Sequence, residues 1–444
     1  MGLFFGTDGI RGKFNEDLNH KTAFRCGNAL GAKNPKAKVL IGRDTRSTGS
    51  LLTLAFSCGL LCAGANVVDV GVCPTAGVSY LVKKLGFDFG VVVSASHNPA
   101  EFNGIKILNE QGLKLGDDDE CEIERNLLKT TMANCKTMGK FSSNPTLIKK
   151  YKEFLQKSIT TLLLNKTIVL DCANGAACGF APEVFRKNGA KVILVANKPN
   201  GSNINKNCGA THIQNLQNAV LKSHANMGFA FDGDSDRVIA VDEKGNVVDG
   251  DKILYALACD YFQKGKLDGN AVVGTILTNK GIEVALCQKG IELLRADVGD
   301  KHVSEKLKQN NLVVGGEQSG HIIIKDKHGT GDGILVALHL AEMCASQNKK
   351  LSDFFDFKLF EQTAINVTVS NKEKIIKNPV LNKTKIEQES LLGDHGRMIL
   401  RISGTEPVVR VMVESECEGL SKDVAEKIAN VVKMLDMENN SCVE

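Results

Sequence analysis

The sequence predicts an α/β protein: three similar α/β domains, with mixed, largely parallel sheets between helices, followed by a smaller α+β domain. Three observations predict this. One order of elements recurs three times along the chain; its strands are short, unbroken apolar runs, as sheets covered on both faces require; and from about Thr363 the pattern changes.

In the first copy the strand VLIGR (Val39 to Arg43) precedes a helical stretch from Ser50 to Ala63. The strand NVVDV, a helical stretch from Thr75 to Leu85 and the strand GVVVSAS, ending at Ser96, complete it. The second copy runs TIVLD (Thr167 to Asp171), a helix near Ala181 to Asn188, KVILVA, a helix near Ile213 to His224, then GFAFD ending at Asp232. The third runs AVVGTIL (Ala271 to Leu277), a helix Gly281 to Lys289, IELLRA, a helix Lys301 to Gln309, then LVVGG ending at Gly316. The tail reads as the strands INVTVS, RMILRIS and VVRVMVE and a final helix with Leu420, Val424, Ile428, Val431 and Leu435 on one face. Lys- and Asn-rich residues from Asn371 to Lys385 predict an exposed, mobile segment. A chain of 444 residues would hold about three domains of ~150 residues, but the repeat length is nearer ~110, which gives four. The divisions fall at 1–140, 141–246, 247–358 and 359–444.

Composition excludes several classes of function. The formal charge is only +4, with acids and bases mixed along the chain, so no basic arm or nucleic-acid stripe is expected. Aromatics are 5% of residues and Trp is absent, which removes base-stacking platforms. The 14 cysteines form no C-x-x-C and no zinc-site spacing, so most read as reduced core thiols of a cytoplasmic protein. The start has no signal-peptide layout. The uncharged stretch Ser47 to Val68 is long enough to span a bilayer, yet Ser, Thr, Gly and Asn punctuate it. It reads as a buried helix followed by a strand, and no membrane partner is expected. There is no P-loop, no G-x-G-x-x-G after a strand and no G-x-S-x-G.

The repeat itself locates a site. Ligands of open α/β sheets sit beyond the carboxyl ends of strands. The third strand of each copy runs into the most unusual loop of its repeat: SASHNP (Ser94 to Pro99), DGDSDR (Asp232 to Arg237) and GEQSGH (Gly316 to His321). Three equivalent loops are expected to face one cleft. Asp232, Asp234 and Asp236 would share a face if the backbone were extended, and so much negative charge calls for a cation held by oxygen, Mg²⁺ or Ca²⁺. An EF-hand would also start at Asp232 and reach Glu243 at its twelfth position, but Arg237 fills its obligatory Gly site. A dehalogenase-type phosphatase would have Thr or Val in place of Asp236. Ser96 could simply belong to a Ser/Asn turn closed by Pro99; its place in the repeat, with His97, Asn98 and Lys106 nearby, favours chemistry. The run from Arg401 to Arg410, RISGTEPVVR, has the Gly turn, hydroxyls and paired guanidinium groups of a phosphate site. Taken alone this run is a weak signal, and Thr7, Arg11, Arg43 and Arg46 could each be ordinary surface residues.

In order, FGTDGIRG (Phe5 to Gly12), SASHNP, NGIK, DCANGA (Asp171 to Ala176), FDGDSDR, GEQSGH and RISGTEP resemble the α-D-phosphohexomutases over nearly the whole chain, and within them the bacterial phosphoglucosamine branch. The resemblance implies a TATA-binding-protein-like fold for the C-terminal domain and a phosphorylated Ser96. It implies that Asp232, Asp234 and Asp236 hold one Mg²⁺ together with that phosphoserine. Glu317, Ser319 and His321 would grip sugar hydroxyls, and Arg401, Ser403, Gly404, Thr405 and Arg410 the phosphate that does not react. Arg11, His97, Lys106 and Arg237 would surround the phosphoserine, with Lys106 as a proton carrier. The implied reaction interconverts glucosamine 6-phosphate and glucosamine 1-phosphate through a sugar 1,6-bisphosphate, on the way to amino-sugar nucleotides; a homodimer is compatible with it. Phosphomannomutase or phosphoglucomutase activity is the nearest alternative, and a sugar-phosphate phosphatase a more distant one. The sequence departs from the branch pattern at Lys301 and His302, at Ala100 to Phe102 and at Ala76.

Overall fold

A computed structural model describes residue 6 and residues 9–129, 131–403 and 406–441. The chain forms two compact units. One combines the chain up to Leu277 with Leu293–Phe355; the other combines Thr278–Glu292 with the chain from Asp356 onward.

The first unit carries three sheets. The first contains β1 (Ile10–Lys13), β2 (Lys38–Arg43), β3 (Asn66–Val72), β4 (Phe89–Val93), β5 (Phe102–Leu108) and β6 (Phe141–Ser143), in the order β1-β5-β4-β2-β3-β6. The second contains β7 (Thr167–Asp171), β8 (Lys191–Val195), β9 (Met227–Phe231), β10 (Val238–Asp242) and β11 (Val247–Val248), in the order β11-β10-β9-β7-β8. The third contains β12 (Ala271–Thr275), β13 (Glu292–Ala296), β14 (Val314–Gly316) and β15 (Ile322–Ile324), in the order β13-β12-β14-β15.

One arrangement is thus made three times. The first strand of each copy lies between the second and the third, and a reversed strand follows the third: β5, β10 and β15 pair antiparallel with β4, β9 and β14. Each unusual loop is therefore the tip of a hairpin, and both of its ends are fixed by strand pairing. The alternate residues Val39, Ile41, Val91, Val93 and Ile105 pack with Leu52, Phe56 and Leu60 on one face of the first sheet, while Leu40 and Val92 are buried on the other. Burial on both faces is what turned these strands into unbroken apolar runs.

The helix Gly49–Cys62 and β3 account for the uncharged stretch, though Leu51 and Leu54 lie on the outer side of that helix, 47% and 54% exposed. Among the described residues no helix is long and apolar enough to cross a membrane. The cysteines divide differently from expectation: Cys26, Cys73, Cys172, Cys208 and Cys344 are buried, but Cys58, Cys121, Cys135, Cys287 and Cys417 are exposed.

In the second unit, β16 (Glu361–Thr368), β17 (Gly396–Ile402) and β18 (Val408–Ser415) form an antiparallel sheet in the order β16-β18-β17. The helix Leu420–Ser441 covers it with Val424, Ala425, Ile428, Val432 and Leu435. The segment expected to be mobile forms two helices instead, Lys372–Ile376 and Pro379–Leu392. Two of its apolar residues explain this, because Ile375 and Leu381 enter the same core, as does Leu392 at the end of the second helix. The helix Lys280–Gln288 of the third repeat also belongs to this unit. Glu414 accepts from the Lys280 amide at 2.9 Å, Arg397 bridges Glu414 (2.6 Å) and the Thr278 carbonyl (2.6 Å), and Asn279 bonds both backbone groups of Phe360 at 3.0 Å.

Candidate active site

Two of the hairpin tips meet at a serine. Ser96 has the left-handed φ of +51°, a conformation that costs a non-glycine residue ~1 kcal/mol. The surroundings hold it there. The Ser94 hydroxyl accepts from the Ser96 amide (2.9 Å), and the Asn205 side chain donates to the Ser96 and Asn98 carbonyls (2.8 and 2.9 Å). Arg46, with no exposed side-chain surface, donates to the same two carbonyls (3.0 and 2.8 Å) and to that of Pro99, and pairs with Asp44 at 2.9 Å. In this conformation the Ser96 hydroxyl donates to Asp232 Oδ2 at 2.5 Å, with His97 Nδ1 at 3.4 Å.

The three aspartates converge through a turn rather than by extended alternation. Residues 232–237 link β9 to β10, and Ser235 sits at φ +62°. Asp232, Asp234 and Asp236 are all buried, with one carboxylate oxygen from each within 4.8 Å of the others. Lys106, on β5, pairs with Asp234 (2.7 Å) and Asp236 (3.0 Å), and Thr75 donates to Asp234 at 2.6 Å. Gly175 supports the turn from beneath: the Ala176 amide donates to the Gly233 carbonyl at 2.8 Å, and a Cβ at Gly175 would stand 2.8 Å from the Gly233 Cα. The strands on either side remove the EF-hand alternative, which needs helices.

Charge in the cluster follows from burial and neighbours. Burial, and then the charges of Asp236 and Asp234, raise Asp232 well above the ordinary carboxylate range. Burial works the same way on Asp234 and Asp236, but Lys106, together with Thr75 at Asp234 and with His321 and Arg237 at Asp236, brings both below that range, Asp236 well below. For Lys106, burial favours the neutral form, yet Asp234 and Asp236 overcome it and hold the ammonium charged. It therefore stands as a positive charge between the two carboxylates in this arrangement. Burial, then Arg237 and Arg11, pull the His97 imidazole down to about 4, so it is neutral near pH 7. Arg237 Nη1 lies 3.2 Å from His97 Nδ1. Arg11, on β1, is near enough to Asp234 and Asp236 to feel their charge.

The residues fit a divalent cation. Asp234 Oδ1 and Asp236 Oδ1 are buried and have no hydrogen-bond partner among the described residues, an arrangement that is costly unless a ligand occupies them. An all-carboxylate set suits a hard ion such as Mg²⁺.

The third hairpin tip lies against the second. The Val238 amide donates to the Gly320 carbonyl at 3.0 Å, and His321 Nδ1 stands 3.9 Å from Asp236 Oδ2. Glu317 is half-buried and accepts from the Gly299 amide at 2.9 Å; Ser319 is exposed at the tip. In the second unit Arg401 and Arg410 are cross-strand partners on β17 and β18. Arg410 pairs with Glu406 at 2.8 Å, and Ser403 is buried; Gly404 and Thr405 lie outside the described residues.

Sequence reasoning missed Asp44, Arg46, Thr75, Lys114, Asn205 and Asp300. A signal did exist for some. Asp44 and Arg46 lie within three residues of the carboxyl end of β2, so the strand-end rule applied to the first strand of that copy would have found them. Arg46, for which a surface position was open, is a buried clamp; Arg43 is partly buried against Asp69 at 3.2 Å.

Four family models match in order. They are phosphoglucomutase/phosphomannomutase alpha/beta/alpha domains I (residues 2–134), II (147–245) and III (249–360) and the C-terminal domain (365–431). A phosphoglucosamine mutase of Caldicellulosiruptor bescii is 44% identical over 98% of this chain and 99% of its own length, and one of Pseudoalteromonas translucida is likewise 44% identical over 98% and 99%. Among solved structures, a phosphoglucomutase/phosphomannomutase family protein of Burkholderia thailandensis superposes with a TM-score of 0.82, at 23% identity over 96% of this chain and 97% of that one. The Aspergillus fumigatus N-acetylphosphoglucosamine mutase, solved with GlcNAc-6P and magnesium, superposes with a TM-score of 0.64, at 20% identity over 89% and 83%.

Proposed function

Because this chain belongs to the phosphoglucomutase/phosphomannomutase family, we propose that it interconverts glucosamine 6-phosphate and glucosamine 1-phosphate, with Ser96 carrying the phosphoryl group between the two ends of the sugar. The observation that carries the choice of sugar is the 44% identity, over nearly the full length, to relatives named phosphoglucosamine mutase. The geometry around Ser96 supports the chemistry.

Phosphoserine 96 gives its phosphoryl group to the free hydroxyl of the sugar monophosphate: the Oγ–P bond breaks as a bond from phosphorus to the sugar oxygen forms, and the proton lost by the sugar hydroxyl is gained by Ser96 Oγ, which becomes the free hydroxyl that donates to Asp232. The sugar 1,6-bisphosphate turns over, and Ser96 Oγ takes the other phosphoryl group: the bond from that phosphorus to its sugar oxygen breaks, the serine proton passes to that oxygen, and the serine ends as it began. Such a transfer asks for position and positive charge more than for a strong base. Arg46 and Asn205 hold the Ser96 carbonyl, which fixes the direction of Oγ. Lys106, Arg11 and Arg237 bring positive charge to the group in flight. Asp232, Asp234 and Asp236, with an oxygen of the phosphoserine, would hold Mg²⁺. When bound, that ion supplies charge stabilisation at the phosphoryl oxygens. Neutral His97, within reach of Ser96 Oγ, adds a hydrogen bond without a further cation. Glu317, Ser319 and His321 would hold sugar hydroxyls, and Arg401, Ser403, Gly404, Thr405 and Arg410 the phosphate that does not react.

The test compares turnover of glucosamine, glucose and mannose monophosphates with Mg²⁺ and a catalytic amount of sugar 1,6-bisphosphate. Glucosamine phosphate should be preferred, and preference for mannose phosphate would overturn the assignment. Intact-protein mass should show one phosphate on the wild type and none on Ser96→Ala, which should be inactive.

A further inference from the structure

Beside the site, a lysine, an aspartate, a histidine, a second aspartate and a second lysine follow one another from the buried cluster to partly exposed residues. Lys106 Nζ lies 3.0 Å from Asp236 Oδ2, which stands 3.9 Å from His321 Nδ1; His321 Nε2 is 3.6 Å from Asp300 Oδ2, and Asp300 Oδ1 is 2.7 Å from Lys114 Nζ. Asp300 and Lys114 come from outside the hairpin tips. Asp300 opens the helix Asp300–Gln309, and Lys114 lies on the return after β5, bridged to Leu108. The residue before Asp300, Gly299, gives its amide to Glu317. Of these two consecutive residues, Gly299 holds Glu317 at one end of the turn, and Asp300 stands at the other end as the carboxylate facing His321 Nε2, a buried nitrogen with no hydrogen-bond partner among the described residues.

The imidazole has little other freedom. His321 is 4% exposed, and Gly331 faces its ring so closely that a Cβ there would stand 2.7 Å from His321 Cδ2. A cavity of about 230 Å³ opens where Asp300, Lys114 and His321 meet, lined also by Asn109 and Thr330. Burial opposes the Asp300 charge, but Lys114 and then His321 outweigh it and bring the carboxyl down to about 2, so the partner offered to His321 is an anion.

We propose that Asp300, neutralised by Lys114, is a positioning residue that sets the orientation of His321 and so the sugar affinity of the Glu317 to His321 turn. The inference rests on the reading that this turn binds the sugar. A purely structural alternative is that the Lys114–Asp300 pair only fastens the β5 hairpin to the third sheet's domain. In that case, removing both charges together should leave sugar binding intact, because neither partner is left buried alone.

The experiment uses full-length Asp300→Asn, Lys114→Met and the double variant. It measures the Kd for glucosamine 6-phosphate by calorimetry, KM and kcat by turnover, and the melting temperature. Asp300→Asn should weaken Kd and raise KM roughly tenfold, the size of one lost charge-assisted contact, with kcat within about twofold, as expected when only binding is lost. The double variant should recover the melting temperature lost by either single variant while keeping the weakened Kd. A double variant with wild-type Kd would overturn the proposal, as would a fall in kcat with KM unchanged. If the wild type turned over no sugar phosphate, the proposed activity would fail, and the ratio of Kd values would still decide the role of Asp300.

Discussion

Replacing Arg46 by Met tests whether the serine loop is clamped as the structure indicates. The guanidinium contacts Asp44 and the carbonyls of Ser96, Asn98 and Pro99, with none of its side chain exposed. These losses are unequal. The Ser96 and Asn98 carbonyls keep Asn205, and the Pro99 carbonyl keeps the Phe102 amide at 3.1 Å. Asp44, also fully buried, would keep only the Ser94 hydroxyl (2.7 Å) and the Arg46 amide (2.9 Å). The cost is therefore mostly that of one buried carboxylate losing its cation, ~3 kcal/mol at the lower end for a broken buried pair. Asp44→Asn/Arg46→Met should recover much of it. Turnover should not recover, because a freed loop can leave the left-handed conformation at Ser96 and carry Oγ away from Asp232; an ångström of displacement costs up to ~100-fold. Urea unfolding and turnover of glucosamine 6-phosphate provide the two readings. A double variant with wild-type turnover would refute the clamp and leave Asn205 as sufficient.

Asp234→Asn should keep the fold, since Lys106 retains Asp236, but should shift the Mg²⁺ dependence of turnover to higher concentration by about tenfold or more; an unchanged dependence would remove Asp234 from the metal site. Gly175→Ala should push the Gly233 backbone and raise the Mg²⁺ requirement although it touches no ligand, and wild-type behaviour would mean the turn yields freely. The Asp300 carboxyl is held at about 2 in the folded state against an ordinary 3.8, so its stabilisation is present above about pH 4 and is lost as the pH falls towards 2. The shift corresponds to at most about 2 kcal/mol, and urea unfolding across that window should show a smaller slope in Asp300→Asn.

The repeat was legible in the sequence because burial on both faces of the first sheets leaves an unbroken apolar signature, and because each third strand ends in a polar loop. Strand pairing then turned a linear pattern into geometry: β5, β10 and β15 return beside β4, β9 and β14, which fixes the loops as hairpin tips and brings two of them together at Ser96 and Asp232. Ser96 and the aspartate triplet could be read because unusual residue types crowd into six positions. Arg46 and Asp300 could not be recognised in that way. A lone Arg or Asp after a strand is ordinary by composition, and its role comes from partners more than 50 residues away, such as Asn98 for Arg46 and Lys114 for Asp300. The Asn371 to Lys385 segment failed for the opposite reason. Its polar residues dominate the composition, while Ile375 and Leu381 decide its structure by reaching the core. The near-neutral total of +4 likewise conceals a local order, since Lys106 and Asp236 lie on one side of His321 and Asp300 and Lys114 on the other. An enzyme that handles an anionic sugar needs both signs at the site, and this order sets each of the two carboxylates against a lysine.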